Sequence, residues 1–315
     1  TFDTGRPMTP LVAYGGHLKS SCAVTTGSHV ILGPHVGDLE SARARHAWHR
    51  SLDHLMEIHQ AESAAVACDS HPDYYTTRAA MASGAKVVPV QHHVAHVAAC
   101  MAENRIEGPV LGVVWDGTGY GGDGTIWGGE FILVDGTSAR RVAHLRPFRL
   151  PGGDAAVRGP VRSKLGVLYE TFDRCLPESL PDLPKSELRL YARMLSRGIN
   201  SPLTSSVGRL FDAAACITGL ICRASFEGQA AMALEHAIGS APSDASYEFP
   251  LVLGSGDGPI VIDWVPAIRI MLSDVEREMP VAYIASAFHN GLIQAIVDVA
   301  IRAGETRVDL TGGWC

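Results

Sequence analysis

In the stretch VQHHVAHVAACMAEN, imidazoles stand at His92, His93 and His96. The apolar spacing from His92 onward predicts a helix, and AKVVPVQ (85–91) before it predicts a buried strand, so the three straddle a strand-to-helix junction. Residues four apart on a helix share a face, with Cβ atoms roughly 5–6 Å apart, so His92 and His96 can reach one small cation. His93 points elsewhere. The plainer alternative is a set of polar residues exposed where a helix begins. Asp116 ends the apolar run VLGVVWD and opens a glycine loop. With the two imidazoles it would complete a set of two nitrogens and one carboxylate, of the kind used for Fe(II) and Zn(II). The alternative there is an aspartate that merely forms an Asp-Gly turn.

Three apolar strands run directly into glycine loops: YGGHLK, WDGTGYGG and VDLTGG. Backbone without Cβ can approach an anion closely and aim its N–H groups at phosphate oxygens. One such loop is only a hairpin turn, but the repetition suggests a nucleotide. Lys19, just past Gly15-Gly16, could offer a cation to the same phosphates or to a developing oxyanion. An exposed loop lysine is the alternative.

The elements that must position these residues alternate. TPLVAYGGHLKSSCAVTTGSHVILGPHVG (9–37) reads as strand, glycine turn, strand, turn, strand, and GPVLGVVWDGTGYGGDGTIWGGEFILVDG (108–136) repeats the order, which implies two like halves. Helical stretches at 39–60 and 71–84 flank a buried strand at 64–69. Beyond Phe148 the spacing is helical over 161–176, 187–199 and 206–220, followed by β structure within 247–264 and a helix over 281–304. The class is α/β, two lobes around a cleft, divided as 1–107 and 108–315. The net charge of −7 argues against broad binding of nucleic acid, although a local basic patch is compatible with it. Seven cysteines without a CxxC pair predict reduced, buried thiols in the cytoplasm and no zinc ribbon. No signal peptide or uninterrupted apolar span is evident, so neither secretion nor membrane insertion is expected.

The motifs GGHLK, GPHVGDLES, ACDSHPDYYTTR, VQHHVAHVAACMAEN, VVWDGTGYGGDGTIWGGEF, LPGGDAAVRGPVR, TSSVGRLFDAAA, SFEGQAAMALE and LTGGWC, in this order, resemble the C-terminal part of the HypF family of carbamoyltransferases. The likeness covers nearly the whole chain. That region is also similar to the tRNA threonylcarbamoyl transferase TsaD and the antibiotic carbamoyltransferase TobZ. The resemblance implies the duplicated ATPase fold of actin, Hsp70 and sugar kinases, with a nucleotide cleft. It implies ATP and carbamoyl adenylate as cofactor and donor, and the C-terminal cysteine thiol of HypE as acceptor, in maturation of [NiFe]-hydrogenase. It further implies a divalent metal, iron or zinc, on His92, His96 and Asp116. Gly208, Asp212, Glu227 and Gly228 fall where relatives hold adenosine and ribose, and Gly117, Gly119, Gly312 and Gly313 fall on phosphate loops. Lys19 and His93 are the candidate catalytic side chains. Read without the resemblance, GRLFD is simply helix and Asp212 a surface residue.

The chain departs from the family pattern in two motifs. Val94 replaces the middle imidazole of HHHAH, and His17 replaces the acid of GGELK. The family's further metal-binding aspartate follows the last glycine loop and would lie past Cys315. The chain is therefore expected to be a segment of a longer polypeptide, weak as a transferase and as a metal binder by itself. Two other readings stay open: carbamoylation of oxygen or nitrogen on a small molecule or tRNA, and a non-catalytic docking segment.

Overall fold

The structure is a computed structural model that describes residues 1–313 other than 62, 181, 182, 241, 242, 255 and 257. It divides into two compact units, Thr1–Ile106 and Glu107 onward. In the first, strands β1 (Phe2–Asp3), β2 (Leu11–Ala13), β3 (Ala23–Thr26), β4 (His29–Leu32), β5 (Ala65–Asp69) and β6 (Lys86–Val90) form a sheet in the order β1-β4-β3-β2-β5-β6. β2, β3 and β4 are an antiparallel meander, whereas β5 joins β2 in parallel and β6 joins β5 in parallel. Parallel neighbours need crossovers. Helix α1 (Ala42–Ile58) leads into β5, α2 (Tyr75–Ala82) carries the chain to β6, and α3 (His92–Glu103) follows.

Ser41 starts α1 by accepting the Ala44 N–H on its Oγ at 3.1 Å. Trp48, Leu52 and Leu55 then recur on one face and pack against Val12, Val24 and Ile31 of the sheet. The Trp48 ring is fully buried and meets Tyr14 edge-on at a centroid distance of 5.0 Å. AKVVPVQ forms the expected strand, but not a buried one. β6 is the sheet edge, exposed or half-buried throughout, and Pro89 is tolerated there because an edge strand leaves backbone unpaired.

The second unit contains β7 (Val110–Tyr120), β8 (Ile126–Asp135), β9 (Ser138–Leu145), β10 (Phe148–Arg149), β11 (Leu203–Thr204), β12 (Leu251–Val252), β13 (Ile260–Ile262) and β14 (Val308–Thr311). β7, β8 and β9 form an antiparallel meander and β14 joins β7 in parallel, so the order β9-β8-β7-β14 repeats β4-β3-β2-β5 of the first unit. The two like halves expected from the sequence are therefore present, as befits a duplicated ATPase fold. Helices α4 (Pro160–Thr171), α6 (Val207–Ile217), α7 (Gln229–Ile238), α8 (Val265–Glu276) and α9 (Val281–Ala303) cover this sheet's core, whereas α5 (Lys185–Arg197) packs through Leu188, Tyr191 and Leu195 on Leu165 and Tyr169 of α4. Neither α7 nor α8 is marked by the spacing of apolar residues. Gly228 and Pro266 at their starts resemble loop residues, and burial against the core decides otherwise.

Every residue of α6 is buried. A helix enclosed on all sides has no solvent face, so the surface position expected for Asp212 is corrected: it is only 2% exposed. α9 is long and apolar enough to cross a membrane by length and composition, with a mean hydropathy of 1.4, but half of that window is buried within the protein. Ile284, Phe288, Leu292, Ala295 and Val299 point into the core. The expectation of reduced thiols also needs correction, because Cys216 and Cys222 are joined in a disulfide while Cys22 and Cys68 are free and buried.

Replacing Trp48 with alanine should destabilise the first unit by about 3–5 kcal/mol, the cost of a buried tryptophan cavity. Urea denaturation measures this, and a loss below about 1 kcal/mol would show that α1 does not depend on the ring.

Candidate functional site

In the first unit, Gly15, Gly16, Asp69 and His92 gather at the carboxyl ends of the parallel strands β2, β5 and β6, where they line a cavity of about 220 Å³. Ligands of open α/β sheets bind at such strand ends. Gly15 adopts φ +71°, and a Cβ there would stand 2.3 Å from the Ser21 carbonyl oxygen, so no other residue fits this turn. Lys19, also in the left-handed region at φ 47°, is exposed, and its N–H donates to Asp38 Oδ1 at 2.8 Å.

Gln91 caps α3, its Oε1 accepting the Val94 N–H at 3.0 Å. The first turn then presents His92 and His96 side by side, with Nε2 atoms 3.2 Å apart and rings perpendicular at 4.7 Å. At that distance the facing nitrogens hold one proton between them, or both turn lone pairs to a shared cation. Behind His92, Asp69 Oδ2 stands 3.6 Å from Nδ1. Asp69 is itself fixed, its Oδ1 accepting the His71 N–H at 2.7 Å. A carboxylate behind an imidazole sets the ring's tautomer and orientation, as in metal sites. His93 leaves this face, as the spacing predicts. It is fully buried, and its Nδ1 accepts from Gln91 Nε2 at 2.9 Å. His17, in the place of the family's acid, stacks on Tyr74, and its Nδ1 accepts the Tyr75 N–H at 3.3 Å. Desolvation lowers the His17 pKa, which suits an acceptor.

In the second unit the expectation that Asp116 ends a strand and opens a loop is corrected: β7 runs on through Gly117 and Gly119 to Tyr120, and Asp116 lies within it. Between Trp115 and Gly119, β7 bulges against β8, pushing residues 116–118 out of register. Asp116 Oδ1 accepts the Gly117 N–H at 2.7 Å. Ser206, the N-cap of α6, donates to the Gly117 carbonyl at 2.8 Å, with the Asp116 carbonyl at 3.1 Å, and so pins the bulge to the helix. Gly312, at φ +107°, follows β14 so closely that a Cβ would meet the Trp115 carbonyl oxygen at 2.1 Å, and one on Gly313 would reach Asp116 Oδ1 at 3.4 Å. Asp116, Gly117, Gly312 and Gly313 are thus together. Gly208 and Asp212 lie within α6, while Glu227 and Gly228 stand at the start of α7, which packs on it.

Asp69, Ser206, Glu130 and Arg141 join the residues expected from the sequence. Asp69 carried the same signal as Asp116, an aspartate ending an apolar strand. Wholly buried Glu130 accepts from the Gly128 and Gly129 N–H groups and from Arg141 Nε, while Arg141 lies over the Trp127 ring at 4.0 Å and reaches Asp123 at 3.2 Å. This network holds the loop between β7 and β8, and nothing local in the sequence marks it.

Burial pushes the Asp212 carboxyl up to about 7; Arg209, 3.1 Å away, opposes the shift and Glu227 adds to it. A folded pKa raised above the unfolded value of 3.8 gives stability that is complete below about pH 4 and is lost as pH rises through about 7. Asp212→Asn should therefore lose less stability than the parent between pH 4 and 7, by up to a few kcal/mol. Parallel denaturation curves for the two at both pH values would overturn the assignment.

Residues 112–315 match a family model described as carbamoyltransferase, Kae1-like domain, second subdomain, and residues 6–103 match the HypF Kae1-like domain. Carbamoyltransferase HypF of Synechocystis sp. is 38% identical over 96% of this chain, which spans 41% of that protein. A carbamoyltransferase HypF homolog of Cupriavidus necator is 35% identical over 99% of this chain and 82% of its own length. The crystal structure of full-length HypF in the phosphate- and nucleotide-bound form superposes with a TM-score of 0.88 and 31% identity, over 98% of this chain and 41% of that one. The chain thus spans about two fifths of the length of full HypF proteins, and it belongs to the HypF carbamoyltransferase family, in the Kae1-like region.

Proposed function

We propose that this chain performs the transfer step of HypF, passing the carbamoyl group of carbamoyl adenylate, made with ATP, to the C-terminal cysteine thiol of HypE in the cytoplasm during [NiFe]-hydrogenase maturation. The observation that carries the reading is the imidazole pair, with two Nε2 atoms 3.2 Å apart and Asp69 behind one of them. A pair of neutral imidazoles fits divalent iron or zinc, with Asp116 as the carboxylate ligand. Such an ion, when bound, supplies Lewis acidity toward the carbamoyl carbonyl or the adenylate phosphate.

The rest is the work of the chain's own residues. Asp69 keeps the His92 ring oriented. The bulge of β7 at Gly117, the strand residue Gly119 and the turn at Gly312 and Gly313 let backbone approach phosphate oxygens; Glu227 and Gly228 ahead of α7 receive adenosine, the exposed Glu227 carboxyl accepting ribose hydroxyls, above a floor formed by Gly208 and Asp212 of α6. The HypE thiolate sulfur bonds to the carbamoyl carbon, the bond from that carbon to the phosphate oxygen breaks, and AMP leaves with the electron pair. Lys19 offers its charge to the departing phosphate. His93 serves from beneath, holding the first turn of α3 through Gln91.

In full-length HypF carrying this region, His92→Ala and His96→Ala should each slow carbamoylation of HypE at least a hundredfold while carbamoyl adenylate still forms. Mass spectrometry of the HypE tail reads the first and release of pyrophosphate the second; normal transfer in both variants would remove the pair from the reaction. Gly119→Val, which puts a β-branched side chain near the end of β7 just past its bulge, should weaken ATP binding about tenfold or more. Unchanged affinity by calorimetry would take Gly119 out of the nucleotide site.

A further inference from the structure

Helix α5 carries Lys185, Arg189, Arg193 and Arg197 at every fourth position, a stripe about 18 Å long at 1.5 Å per residue. All four side chains are exposed and line a groove of about 760 Å³, with Arg174 on the opposite wall. The apolar side of the groove is built by Leu176, Leu188 and Ala192 with the edge of Tyr169. Among the described residues none of the five cations is ion-paired with a carboxylate.

A merely solvated helix face mixes its charges, because like charges four apart oppose the helix. The groove-lining face of α5 instead concentrates one sign, with Glu187 of the same helix off that face, on a chain whose net charge is −7. That arrangement returns its cost only when an anion with several charges occupies the groove, where the cations act together and each guanidinium can fork a carboxylate. We infer that this groove docks an acidic, amphipathic helical segment of a partner protein. Carboxylates along one face of such a segment meet the stripe, and its apolar residues cover the Leu176, Leu188 and Ala192 side. A nucleic-acid backbone fits less well, since it leaves that apolar side uncovered, meets Glu178 in the groove and finds no exposed ring there for base stacking. The inference does not depend on the carbamoyl-transfer reading.

The test uses the whole chain and a fluorescein-labelled peptide of about fourteen residues, with glutamate at every fourth position and leucine on the adjoining stripe. Anisotropy should show salt-sensitive binding that the double variant Arg189→Glu, Arg193→Glu weakens at least tenfold and Arg189→Gln, Arg193→Gln weakens less, with thermal unfolding unchanged in both. A scrambled peptide of the same composition should bind more weakly. Cys175, an exposed free thiol on the groove wall, gives a local readout on the unmodified chain: bound peptide should slow its alkylation. Equal affinity for parent and variants, equal affinity for the scrambled peptide, or alkylation of Cys175 unaffected at saturating peptide would each overturn the proposal. So would tRNA that binds more tightly than the peptide and is lost with the same substitutions.

Discussion

Parallel strands end on the same edge of a sheet, and the chemistry of this protein hangs on that constraint. In the first unit β2, β5 and β6 run parallel, so the glycine turn after β2, Asp69 at the end of β5 and His92 just past β6 arrive at one edge. In the second unit β14 runs parallel to β7, pairing Thr311 with Val114, so Gly312 and Gly313 come down beside Asp116. Residues separated by most of the chain become neighbours because two strands share a direction. A slip of one position in either register would turn Asp69 or Asp116 to the opposite face.

Once there, each acid is held by donors suited to its place. Asp69 takes the N–H of His71 on one oxygen and faces His92 with the other. Asp116 takes the N–H of Gly117, and Ser206 clamps the bulge that carries it. Glu130, deeper, gathers backbone donors and an arginine. Asp212 has Arg209 but lies inside a wholly buried helix with Glu227 near it, and there desolvation wins. Four carboxylates in one α/β protein thus differ in how much water each lost and how many donors replaced it.

The chain belongs to the HypF carbamoyltransferase family, and each unit gathers candidate site residues along its own sheet. The basic groove on α5 is of another kind. It is made by α5, the segment before it and Tyr169 near the end of α4, and its charged side chains are exposed. A site for chemistry buries and satisfies its charges, whereas a surface for recognition leaves them open.

By itself the sequence determined the α/β alternation, the duplicated meander, the helical face shared by His92 and His96, and the glycine turns after β2 and β14, whereas Gly117 and Gly119 of the second expected loop lie in β7. Each of these is set by neighbours in the chain: a period of two or of 3.6, a cap, or a turn that excludes Cβ. Motif likeness also pointed to the HypF family before any coordinate did. Only the tertiary structure decided burial. It put β6 at an edge although its composition suits a core strand, enclosed α6 and with it Asp212, started α7 and α8 at residues that read as loop, and brought Ser206 to Asp116. It also set Asp69 behind His92, a partner more than twenty positions away that no local spacing selects. The reason is physical: periodicity tells which residues share a face, but what that face meets depends on contacts between segments far apart in the chain.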